Sequence, residues 1–115
     1  MSPTIVFNGD GSFRIAAGSP GGPIIIPYTA ETLVALIDGN LSPQDAVALP
    51  HHANPNGPTI LEADTPITAF APALTSMGHR VVFSDLESGL NIIEKVKGGY
   101  IGGSDPRRDG IAKGE

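Results

Sequence analysis

The chain has no cysteine and no tryptophan. Without cysteine there is neither a disulfide framework nor a thiolate metal centre, and the compartment stays open. Aromatic residues make up only 5% of the 115 positions, so a core must be built from Ile, Val, Leu and Ala. Basic side chains are also few: 7 Lys and Arg stand against 12 Asp and Glu, a net charge of −5. Nucleic-acid binding needs clustered Lys and Arg, and the single basic pair, Arg107-Arg108, is too small a footprint. No apolar run approaches the roughly 18 residues of a membrane span. The N-terminus, MSPTIVFNGDG, lacks the basic start and apolar stretch of a secretory signal. No internal repeat is visible.

Glycine (15) and proline (11) are abundant and scattered through the chain, the pattern of short elements joined by tight turns. The length fits one domain, and 40% hydrophobic residues exclude disorder throughout. Thr4–Phe7 and Phe13–Ala17 read as a hairpin around Asn8-Gly9-Asp10-Gly11. From Pro23 a helix is expected, with Ile26, Ala30, Leu33, Val34 and Ile37 as its apolar face, stopped by Asp38-Gly39-Asn40. A short helix follows with Ser42 as N-cap, Pro43 first and Asp45 in the first turn. His51–Pro58 is expected to be loop, and Thr59–Ala63 a strand. Thr65-Pro66 opens a third helix toward Met77, capped by Gly78. Pro72 either kinks it or makes it start near Ala71. Strands are expected at Arg80–Ser84, Leu90–Val96 and Tyr100–Gly103, and 104–115 reads as a polar tail. This order predicts a layered α+β fold.

The stretch Gly18-Ser19-Pro20-Gly21-Gly22 enters a helix. Successive backbone N–H groups at such a turn can face an anion, helped by the helix dipole. On local grounds alone, a plain tight connection is the simpler account. Other chemistry is thin. Ser19 is not in a Gly-x-Ser-x-Gly elbow, because position 17 is Ala17. His51, His52 and His79 have no further ligands at zinc-like spacing and read as structural or surface residues. Asp38, Asp45, Asp64, Asp85 and Glu87 fall mostly at caps and turns, with no acid–base pair among them. Arg107-Arg108 could bind an anion but reads more simply as solvated tail. The residues thus offer an anion-facing loop without a convincing nucleophile, and no cofactor or metal site.

Six segments, in order, carry a resemblance: Met1–Val6 (MSPTIV), Gly18–Gly22 (GSPGG), Ala48–His52 (ALPHH), Gly78–Val81 (GHRV), Ser88–Leu90 (SGL) and Gly103–Arg108 (GSDPRR). Together they resemble the C-terminal part of the small subunit of the γ-glutamyltranspeptidase (glutathione hydrolase) family. The match runs over nearly all of 1–115, as one partial domain. The resemblance implies part of an αββα N-terminal-nucleophile hydrolase sandwich, with strands and about three helices. It implies that Gly21 and Gly22 donate the oxyanion-hole N–H groups, serving catalysis and substrate binding. It also implies an N-terminal Thr nucleophile and paired serines upstream of Met1, on segments this chain lacks.

The function so implied is transfer of the γ-glutamyl group of glutathione and related amides to water or to amino-acid and peptide acceptors. This chain would supply the loop and scaffold, and would be inactive alone. Its partners would be γ-glutamyl substrates, the upstream small-subunit segment and the large subunit; neither nucleic acid nor membrane is expected. The parent enzyme would be periplasmic or extracellular. Exposed strand edges would favour self-association. Two other readings remain: a non-catalytic binding or assembly module retaining the fold, and a small anion-binding domain built on GSPGG.

Overall fold

Asn-Gly and Asp-Gly turn chemistry starts the fold, as a computed structural model describing residues 1–114 displays it. Strand β1 (Thr4–Phe7) pairs antiparallel with β2 (Phe13–Gly18). Gly11 takes φ +83°, and the Asp10 carboxylate accepts the Ser12 N–H at 2.9 Å. A 3-10 turn over Gly22–Ile24 leads into α1 (Ile25–Ile37), and α2 (Pro43–Ala48) follows. At α2 the Ser42 hydroxyl accepts the Asp45 N–H at 3.1 Å and donates to the Asp45 carboxylate at 2.7 Å, so the predicted cap is formed.

Next come β3 (His52–Ala53), β4 (Thr59–Glu62), α3 (Ala71–Ser76), β5 (Val81–Ser84), β6 (Asn91–Val96) and β7 (Gly99–Ser104). The predicted loop at 51–58 therefore contains one short strand, paired to β4. The question at Pro72 is settled by geometry. Pro66–Phe70 is a 3-10 turn and α3 begins at Ala71, which puts Pro72 in the first turn, where its missing N–H costs nothing. Gly78, at φ +93°, ends that helix by donating to the Thr75 carbonyl at 3.0 Å.

The result, among the described residues, is an α+β fold with three α-helices and two sheets. One sheet runs β1-β2-β6-β7, antiparallel throughout; the other runs β3-β4-β5, with β4 and β5 parallel. Ile15, Ala17, Leu90 and Ile92 of the larger sheet and its edge meet Ala35 and Leu36 of α1 and Ala46 and Val47 of α2 in the core. The opposite sheet face carries the row Ile5, Ala16, Ile93, Gly102, matched residue to residue across the strands, and Ile5 and Ile93 lie exposed there.

Two expectations are corrected. The buried face of α1 is Tyr28, Thr29, Thr32, Ala35 and Leu36, whereas Ile26 and Val34 are 73% and 58% exposed. Threonine can be buried here because its hydroxyl is satisfied within the helix. Thr29 donates to the Ile25 carbonyl at 3.0 Å, and Thr32 to the Tyr28 carbonyl at 2.8 Å. The solvated tail also begins later than Ser104. Ser104 ends β7 and is buried, and so is Asp105. Of the predicted tail, Glu115 lies outside the described residues.

Candidate active site

Three of the sequence segments singled out above meet at one end of the strands of the larger sheet. Gly18-Ser19-Pro20-Gly21-Gly22 leaves β2, Ser88-Gly89-Leu90 precedes β6, and Asp105–Arg108 follows β7. Pairing of β2 with β6 and of β6 with β7 brings them together. Ser19 is fully buried; its hydroxyl donates to the Pro20 carbonyl at 2.6 Å and accepts the Gly89 N–H at 3.1 Å. That commitment fits a structural group and not a nucleophile. An open cleft of about 580 Å³ runs beside the loop, bordered by Pro3, Gly18, Pro20, Gly89, Asn91 and Arg108.

Gly21 and Gly22 both have positive φ, +144° and +57°. Among the described residues neither N–H has a hydrogen-bond partner; the bonds here run from Ile24 N–H to the Gly21 carbonyl and from Ile25 N–H to the Gly22 carbonyl. Gly21 rests against the ring of Tyr28, which is 2% exposed and packs on His51 with centroids 4.4 Å apart. Burial raises the Tyr28 phenol above its ordinary range, and the Glu62 charge adds to this.

Beneath the loop lies a polar network that reading the sequence did not find. Arg107 grips Glu62 with a fork, Nε at 2.6 Å and Nη2 at 2.7 Å from its two oxygens, and reaches Asp105 Oδ1 with Nη1 at 3.1 Å. It also donates to the carbonyls of Val47 and Leu49. Arg107 is therefore an anchor, correcting its assignment to a solvated tail; Arg108 is exposed but donates from Nε to the Ser88 carbonyl at 2.7 Å. Asp105 Oδ2 accepts the Leu90 N–H at 3.0 Å and the Ser88 hydroxyl.

His51 is buried, with Nε2 2.8 Å from Ser88 Oγ and Nδ1 3.0 Å from Glu31. Ser88, His51 and Glu31 thus mimic a hydrolytic triad. Yet Ser88 is fully buried and its proton is directed to Asp105. His51 cannot then take that proton, and Ser88 is not poised to attack. His52 reaches the same Glu31 carboxylate at 3.0 Å, and His79 contacts Thr59 Oγ1 at 2.9 Å. Asp45 is a cap partner, and Asp64 sits at φ +54° in a turn. Among the described residues no group of His, Asp and Glu could hold a metal ion.

Burial pushes the carboxyls of Asp105 and Glu62 upward. For Asp105, hydrogen bonds from Ser88, the Arg107 and Leu90 backbones and the Arg107 side chain outweigh it; for Glu62, bonds from Arg107 and the His51 N–H do. Both end below the ordinary carboxylate range. Since the folded values lie below the unfolded ones, their stabilisation is fully present above about pH 5 and is lost as pH falls through the folded values. The melting midpoint is therefore expected to drop steeply below about pH 4, with a shallower acid limb in Glu62→Gln. A midpoint insensitive to acid would contradict the network's electrostatics. Opposing histidines hold Glu31 low despite burial, and Glu31 raises His52.

The layered fold is that of N-terminal-nucleophile hydrolases, gamma-glutamyltranspeptidases among them. A Helicobacter pylori gamma-glutamyltranspeptidase mutant superposes with TM-score 0.85 at 28% identity, covering 94% of this chain and 61% of that one. Gamma-glutamyltranspeptidase from Pseudomonas nitroreducens, complexed with L-DON, gives 0.87 at 26% identity, covering 100% and 62%. The family model for gamma-glutamyltranspeptidase matches residues 1–115, and the chain belongs to that family. A glutathione hydrolase from Aspergillus flavus is 31% identical over 111 residues, which is 93% of this chain and 19% of the relative. The acylase ACY 1 proenzyme of Pseudomonas sp. strain SE83 is 36% identical over 94 residues, 81% of this chain and 16% of that protein. The chain thus spans less than a fifth of the curated relatives. No helix among the described residues is long and apolar enough to cross a membrane.

Proposed function

We propose that this chain supplies the oxyanion-hole loop, and the scaffold behind it, to an enzyme that transfers γ-glutamyl groups from glutathione and related amides. Gly21 and Gly22 are the donors. The observation that carries this reading is that both amides, at positive φ at the start of the turn into α1, lack a partner within the described residues. They are the first N–H groups of a helical turn, which have no partner within the helix and are left to face a ligand.

In the reaction, the hydroxyl oxygen of a threonine contributed from outside these residues attacks the γ-carbonyl carbon, and the N-terminal amine takes its proton. The carbonyl π-pair moves to oxygen, where the two N–H groups meet the developing charge. As the intermediate collapses and the C–N bond breaks, the ammonium returns that proton to the leaving nitrogen, and the acyl-enzyme that remains is then attacked by water or an acceptor amine. One such donor contributes roughly 2.7–4 kcal/mol to the barrier reduction. The setting of the parent enzyme is periplasmic or extracellular.

The test is hydrolysis of a γ-glutamyl anilide by the chain alone and after supplementation with the large subunit and the remaining small-subunit segment of a relative. No turnover alone and measurable turnover when supplemented are expected. Turnover by the chain alone would overturn the division of roles, and none in an assembled complex would favour a non-catalytic assembly module. The same reading leaves the sheet face bearing Ile5 and Ile93 to be covered by another layer. Sedimentation velocity should show the free chain self-associating, and Ile93→Glu should reduce it; a monomer at every concentration would count against the uncovered face.

A further inference from the structure

Hydrogen bonds tie the loop at 19–22 to the rest of the molecule at very few points. Among the described residues only one joins it to a distant part of the chain: the Gly89 N–H donating to Ser19 Oγ at 3.1 Å. The Ser19 hydroxyl has a second duty, donating to the Pro20 carbonyl at 2.6 Å. Its oxygen therefore faces Gly89 in one fixed orientation, and the following peptide of the loop is held by the same group. The Ser19 side chain is fully buried and its bond to Gly89 lies in the interior, so water does not compete for that bond.

The receiving segment is held on both sides. Asp105 Oδ2 accepts the Ser88 hydroxyl and the Leu90 N–H, and Arg108 Nε donates to the Ser88 carbonyl at 2.7 Å. Gly89 lies between these anchors. A Cβ there would come within 2.7 Å of Pro20 Cγ and 2.9 Å of Arg108 Nε, so the absence of a side chain lets the loop sit this close. On the far side, Gly21 is pressed against the Tyr28 ring. The loop is thus clamped between a ring and a fixed backbone amide, with Ser19 as the polar tie.

We propose that Ser19 is a positioning residue for the Gly21 and Gly22 amides, locking the 18–22 loop to the Gly89 backbone that Asp105 holds through Ser88 and Leu90. The aim of the amides rests on the oxyanion reading above; the clamp itself does not. Ser19 touches no reacting atom. It acts by fixing where the two donors stand, and small errors in such placement carry large rate penalties.

The test uses the full chain, labelled with ¹⁵N, as wild type, Ser19→Ala, Ser19→Thr and the surface control Ser76→Ala. Ser19→Ala should speed hydrogen exchange at the Gly89 amide by about tenfold, as expected for one buried hydrogen bond. It should shift or broaden the Gly21 and Gly22 amide signals while those of Ile15 and Val47 stay in place. Ser19→Thr should restore them, and Ser76→Ala should change nothing. Where Ser19→Ala unfolds, Ser19→Cys keeps the volume and weakens the acceptor, and the same pattern is expected. Unchanged Gly89 exchange and unmoved Gly21 and Gly22 signals would overturn the proposal, as would acceleration spread evenly over all amides. A second arm measures kcat in an assembled γ-glutamyl-transferring complex carrying Ser19→Ala. Displaced amides with lowered kcat and near-constant KM support both readings. Displaced amides with unchanged kcat keep the clamp and defeat the oxyanion assignment.

Discussion

In an assembled, active complex, Gly21→Ala should lower kcat by about a hundredfold or more, the scale of losing one oxyanion donor. An alanine Cβ at this position would lie 2.7 Å from Tyr28 Cε2 and 3.0 Å from Cδ2. Tyr28 has nowhere to retreat, being 2% exposed and packed against the tilted ring of His51. The backbone adds its own objection, since φ +144° is nearly closed to residues with a Cβ. The loop must therefore move, and the proposed donors with it. Gly22→Ala is the informative contrast. Nothing lies within 4 Å of its added carbon, and φ +57° is a left-handed conformation that L-residues adopt at a cost of about 1–2 kcal/mol. A much smaller kcat loss is expected from Gly22→Ala. Equal effects from the two alanines in single-turnover kinetics would mean that the Tyr28 ring is not what sets the loop.

Arg107→Ala should cost about 3 kcal/mol of folding stability, measured by urea denaturation. The guanidinium makes five hydrogen bonds, to Glu62 twice, to Asp105 once and to two main-chain carbonyls. Its side chain is 15% exposed, and those of Glu62 and Asp105 are 11% and 1% exposed. Removing it leaves two shielded carboxylates without their cation and carbonyls without a donor. Arg107→Lys keeps the charge but cannot fork across both Glu62 oxygens, so an intermediate loss is expected. A loss below about 1 kcal/mol for the alanine variant would place this cluster among surface ion pairs.

What the sequence made legible was mostly local chemistry. The Asn8–Gly11 turn, the Ser42–Pro43–Asp45 helix start and the Gly78 stop each encode their geometry within a few residues, and each is formed. The stripe of α1 was misread because apolarity was weighed without the two threonine hydroxyls that satisfy themselves inside the helix. The network under the loop was illegible for another reason. Arg107 and Glu62 stand 45 positions apart, and His51 and Ser88 37 apart, so no window of sequence contains the pairing. A clue existed in Glu62, an acidic residue closing an otherwise apolar strand, Thr59–Glu62. Such a residue needs a cation when the strand is covered. Gly21 and Gly22 gained their suggested role from resemblance; their amides, without a partner among the described residues, give it a physical basis to be tested.

The tie between Ser19 and Gly89 crosses 70 positions of sequence. During synthesis, at roughly 5–20 residues per second, the first hairpin emerges long before its neighbour β6 exists. On the clamp proposed above, the glycine loop stays untethered on the nascent polypeptide for several seconds and stiffens only once the β6–β7 hairpin leaves the ribosome. A ribosome-stalled product ending before Ser88 would carry both glycines without the means to aim them, so arrival of the last quarter of the chain times the maturation of the loop.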